Sequence, residues 1–172
     1  MNSMEDFVYS RIGMALVSAQ RVEFVAHEIL VVLREYDREV YGITTEEFLG
    51  TTPEAEKLRR ATLGRIFTYL KLNPKLVLAD ELSSYLGNRN ILAHGFWKTY
   101  MQTKSKEQVE TAFAFLQSFG ESSQKLERFF NGFLYLLALR HVKEREDLAP
   151  EFKQLSSDFD YFMESIEKKK LL

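Results

Sequence analysis

The sequence predicts an all-α protein, an up-and-down bundle of four to five helices that forms one domain over residues 1–172. Apolar residues recur at three- and four-residue steps along most of the chain, which is helical periodicity. No stretch of useful strand length alternates apolar and polar residues. Three Pro and eight Gly are too few for the many turns of a sandwich or barrel. At 172 residues two independent cores would be cramped, so a single domain is expected.

The first helix is expected from about Met4 to Arg38, with Ala15, Val22, Val25, Ala26 and Ile29 on its core side and Gly13 as a place for a bend. Tyr41–Thr51, with Gly42, Gly50 and several Thr, reads as a loop carrying one turn at Thr45–Leu49. Thr52-Pro53 is a start signal, a capping hydroxyl followed by Pro at the first helical position. The helix it opens runs to about Leu72, and Gly64 inside it suggests close approach of a neighbour. Asn73-Pro74 restarts the chain into a third helix that reaches about Met101, with Leu78, Leu82, Leu86, Ala93 and Phe96 on one stripe. Thr103 or Ser105 caps a long fourth segment from Lys106 to Glu146, which Gly120 with Ser122-Ser123 could kink or split. After Pro150 a last helix carries Phe152, Leu155, Phe159, Phe162 and Ile166. This stripe reads as core, with a dimer or partner groove as the sharper option. Lys168–Lys170 closes the helix at the negative end of its dipole.

Composition narrows function. Apolar residues make up 45% and charged residues 28% of the chain, ordinary for a globular protein. Fourteen Phe and eight Tyr point to a bulky core or an apolar partner surface. The net charge of −2 excludes a nucleic-acid binder working by bulk positive charge, but not a local basic patch. With no cysteine there is neither a disulfide framework nor a thiolate site. Residues Met1–Asp6 lack a secretory start, and the longest apolar runs fall short of the roughly 20 residues that span a bilayer. A cytoplasmic protein with no membrane partner is therefore expected. Paired Glu-x-x-His motifs, His-Glu-x-x-His and a Gly-rich phosphate loop are all missing, so no metal or cofactor is expected.

The chemistry-bearing stretch is Arg89-Asn90-Ile91-Leu92-Ala93-His94. Asn90 and His94 are four apart and share a helical face, which Trp97 continues. Arg89 lies about 140° round an α-helix from His94, so it must curl back or meet the others across an interface with a second copy. Arg, amide and imidazole together suit a phosphate diester: the guanidinium holds oxygens, the amide orients, and the imidazole moves protons near neutral pH. Spacing alone is a loose signal, since Arg21 and His27 also satisfy it; Arg21 is followed by Val22, and His27 reads as a packed or surface histidine. Asn90 directly after Arg89 is what separates the two. Lys57, Arg59, Arg60 and Arg65 make the second helix locally basic and, with Trp97, could contact RNA, beside Glu54 and Glu56 that could balance the charge.

Arg-Asn-x-x-x-His, late on a helix of an all-α domain, resembles the HEPN superfamily (higher eukaryotes and prokaryotes nucleotide-binding), and Leu92-Ala93-His94-Gly95-Phe96 is similar to how many members continue. The resemblance implies a metal-independent endoribonuclease whose two copies line one RNA cleft. It implies that Arg89 binds the scissile phosphate, Asn90 orients it and His94 acts as general base or acid for 2′-hydroxyl attack. It also implies a homodimer, an RNA substrate, an antitoxin partner, and toxin or antiviral defence roles. A Tyr marks the adenylylation-controlled subgroup two residues past the His; here Phe96 stands at that position, with Tyr100 one turn on. The alternative is a non-catalytic helical interaction module for a protein or nucleotide partner, in which Arg89 and Asn90 are pairing or capping groups.

Overall fold

The computed structural model describes residues 3–33, 43–69, 78–103, 105–140 and 142–170. Among them the chain is all-α, with no strand. The α-helices are α1 (Ser3–Leu33), α2 (Thr45–Phe48), α3 (Pro53–Tyr69), α4 (Leu78–Asn90), α5 (Lys106–Leu139), α6 (Pro150–Lys153) and α7 (Ser156–Lys170). α4 runs on through two π turns, Ile91–Gly95 and Trp97–Met101, and a 3-10 turn occupies Arg145–Asp147.

Helix starts follow local chemistry. Thr44 closes a reciprocal capping box with Glu47 at the head of α2. Thr52 Oγ1 accepts from the Ala55 amide at 3.1 Å, so the Thr-Pro start signal sets α3 where expected. Ser105 Oγ accepts from the Gln108 amide and opens α5. The expected extensions at Arg34–Arg38, Leu70–Leu72 and Asn73-Pro74, and the surroundings of Gly64, lie outside the described residues.

Several boundaries differ from expectation. α1 passes through Gly13 and α5 through Gly120 without a break. Neither glycine has a neighbour within 4 Å of the position a Cβ would take, so nothing presses there to bend the helix. α5 ends at Leu139 rather than Glu146, and the last helix is divided at Gln154–Leu155. The outcome is seven α-helical segments among the described residues, two of them only four residues long, rather than four or five members of a regular bundle.

α5 is the hub. It packs against α1 on one flank and α7 on the other, while α4 and its second π turn close a further side. Phe119, Phe130, Phe133 and Leu137 on α5 are fully buried with Leu30 of α1, Leu82 and Leu86 of α4 and Phe162 of α7. Side chains of this size contribute about 1.5–3 kcal/mol each on burial. The aromatic stripe of α7 is core: Phe162 packs edge-on against Phe129 at 4.8 Å and stacks with Phe133 at 5.8 Å. Gly132 makes this approach possible, because a Cβ there would overlap the Asp158 carbonyl and the Phe162 Cβ. Polar ties finish the seam: Arg128 and Asn131 both donate to the Asp158 carboxylate.

Candidate functional site

The π turns change the geometry of the Arg-Asn-x-x-x-His stretch. In a π turn the backbone bonds residue i to i+5, a wider step than in an α-helix, and such turns concentrate at functional positions. Residues five apart, such as Arg89 and His94, therefore stand nearer one line than the α-helical offset of about 140° allows. The buried positions beyond Asn90 become Leu92, Phe96 and Met101, at steps of four and five. Ala93, expected in the core, is exposed as a result.

Arg89 and Asn90, at the end of α4, form one wall of a cleft of about 330 Å³. Glu23 of α1 faces them, and Thr45, Glu46, Gly50 and Thr51 supply the rim. Asn90 Nδ2 donates to Thr51 Oγ1 at 2.8 Å. Arg89 Nη2 donates to the Leu49 carbonyl at 3.4 Å, and its Nε stands 3.4 Å from the Glu23 carboxylate. That Nε is sealed from solvent and makes no well-aligned hydrogen bond, so the Glu23 contact is an electrostatic pairing rather than a directed one. His27, four residues beyond Glu23, is an exposed histidine whose Nδ1 lies 2.9 Å from Thr45 Oγ1.

The remaining expected site residues separate. His94 is exposed on the first π turn, outside the residues that line the cleft. Trp97 is exposed on the second π turn, at 58%. Lys57 is exposed on α3. Arg60 engages Glu56 through both Nε and Nη2, at 3.1 and 2.8 Å, which offsets its charge locally. Arg65 has its side chain outside the described residues. Arg59 does not fit the expectation of an RNA contact: it is fully buried. Its Nη1 donates to the carbonyls of Phe48 and Gly50 at 2.8 and 2.9 Å, and its Nη2 donates to Ser83 Oγ at 3.1 Å. Burial pushes this guanidinium below its ordinary value, against the raising influence of Glu56, while Arg60 lowers it further. Arg59 is thus a strut that fixes the α2–α3 connection on α4, and through it the cleft rim.

Below the cleft, Tyr85 stacks on Phe119 at 5.1 Å and lies 3.5 Å from the Ser123 hydroxyl. Burial is the main reason that its phenol is pushed up to about 12. Glu23 and Glu127 add to the rise, while Ser123 and Arg89 oppose it.

Sequence reading missed Glu23, Thr45, Glu46 and Thr51. They come from other segments, and no spacing links them to Arg89. Chemically, the cleft holds one guanidinium facing two carboxylates, with its amide already bonded. In a single copy this balance disfavours a phosphate diester.

Among the described residues no group of three or more His, Asp or Glu side chains converges as a metal site would require, and no helix is long and apolar enough to cross a membrane. No family model, curated protein or solved structure matches the chain.

Proposed function

We propose that this chain is a non-catalytic helical interaction module that receives a protein partner on the outer face of α1. The observation that carries the reading is the engagement of Arg89 and Asn90 inside the fold. Arg89 is paired with Glu23 and Leu49, and Asn90 with Thr51, so both act as ties between α4, α1 and the α2–α3 connection. The exposed apolar residues of α1, with Phe24 at 64%, supply the contact surface. Large apolar side chains that recur exposed along one side of a helix offer a surface to a partner.

A second reading, the HEPN-like metal-independent endoribonuclease with toxin or defence roles, is favoured by one observation. The π turn lessens the angular separation of Arg89 and His94 in a single helix. In that reading a second copy completes the cleft, Arg89 leaves Glu23 for the scissile phosphate, and His94 transfers the proton.

RNA cleavage in excess EDTA decides between them, using the purified chain with Arg89→Ala and His94→Ala. The module reading expects no cleavage of structured or unstructured RNA, and a lowered melting temperature for Arg89→Ala alone. Cleavage by the wild type that falls about 10²- to 10⁴-fold in both variants, with DNA untouched, would overturn it.

A further inference from the structure

The outer side of α1 carries a second regular stripe beside its core side. Met14, Val17, Arg21, Phe24, Glu28 and Val31 follow one another at alternating three- and four-residue steps. Met14, Val17, Phe24 and Val31 are 59%, 56%, 64% and 39% exposed, although they are apolar. An alternating three-four stripe is the seam a helix presents to another helix. Gly13 and Ser10 on the same side are small, so a second backbone could come close. The stripe is interrupted by one cation and one anion, Arg21 and Glu28.

These two charges identify the occupant. We propose that the α1 stripe pairs antiparallel with the same stripe of a second copy, about a two-fold axis at Phe24. Antiparallel pairing sets residues at equal distances before and after the axis against each other. Val17 and Val31 lie seven residues on either side of Phe24, so each meets its counterpart in the other copy. Arg21 lies three residues before Phe24 and Glu28 four after it. At about 1.5 Å per residue their axial mismatch is only about 1.5 Å, so each Arg21 comes alongside the other copy's Glu28. A two-fold interface must be self-complementary in this sense. Parallel pairing would instead set Arg21 against Arg21 and Glu28 against Glu28, which opposes it. Arg21 already touches Glu127 of α5 at 2.6 Å, yet its side chain remains 66% exposed and can serve both carboxylates. Glu23 directly precedes Phe24, so the Arg89–Glu23 wall of each cleft would border the paired stripe.

The inference rests on the module reading for its surface and names the partner. Sedimentation of the intact chain from low to high micromolar concentration is expected to show a dimer. Glu28→Arg should weaken it at least about tenfold through like-charge contact, and adding Arg21→Glu, with Glu127→Gln to remove the like charge on α5, should restore it. Phe24→Asp should give a monomer with unchanged helicity, whose melting no longer depends on protein concentration. The chain has no cysteine, so introduced thiols report register without background. Val17→Cys mixed with Val31→Cys should cross-link under oxidation, and Val17→Cys alone should not. A monomer at every concentration, a dimer indifferent to both charge variants, or self-cross-linking of Val17→Cys would each overturn the proposal. None of these outcomes bears on RNA cleavage, which tests the module reading separately.

Discussion

The α5–α7 seam and the α2–α4 corner are built on opposite principles. At the seam, Phe129, Phe133, Phe159 and Phe162 interlock around Gly132, and the polar ties sit at the edge. At the corner, single polar links carry the contacts: Arg59 to two carbonyls, Asn90 to Thr51, Arg89 to Glu23. Apolar packing spreads its stabilisation over many small contacts, whereas each polar link concentrates it in one geometry. The seam is therefore a close-packed scaffold whose stabilisation is shared among many contacts. The corner is a jointed structure in which removing one group alters the shape of the cleft.

Three changes would break or sharpen this contrast. The largest effect belongs to the seam: Phe162→Ala, by emptying a fully buried aromatic site, should lose about 3–5 kcal/mol in denaturant unfolding. The cleft should keep its form in that variant. Next comes Arg59→Met, which leaves the Phe48 and Gly50 carbonyls without their donor. A loss of about 2–3 kcal/mol is expected, with hydrogen exchange accelerated in 43–52 and not in α7. An equal change at both places would erase the distinction between the regions.

The smallest effect is read against pH. Tyr85 titrates at about 12 when folded, against about 10 in an unfolded chain. Between those values the folded state holds the proton that the unfolded state has lost. Stability is thus complete below about pH 10 and falls as pH rises toward 12, by about 2 kcal/mol in all. Tyr85→Phe should remove that share of the alkaline decline in unfolding curves. An alkaline limb unchanged by the substitution would show that Tyr85 is solvated and the corner looser than described.

Much of the fold was readable from local chemistry. Thr52-Pro53, the turn at Thr45–Leu49 and the Ser105 cap each fall where their side-chain oxygens meet free helix amides. The core side of α1 is buried as the periodicity implies. The π turns were not readable, because residues 91–101 carry no local mark that separates a five-residue step from a four-residue one. Ala93 is the position where that cost an assignment. Arg59 was misplaced because a cation in the run Lys57–Arg60 reads as solvated, and only tertiary contact reveals three acceptors around it. For the candidate site, Arg89 and Asn90 were found by their spacing and adjacency. Their partner Glu23, on another helix, could be found only by folding.

The long reach between α1 and its partner helix has a consequence for synthesis. Arg21 and Glu127, which join α1 to α5, are 106 residues apart. At about 5–20 residues per second, α1 is complete roughly 5–20 s before the α5 residues that cover its inner side are made. During that interval both of its apolar sides face the surroundings. α1 is thus open to capture, by a neighbouring nascent copy or by a chaperone, before the hub that tames it exists.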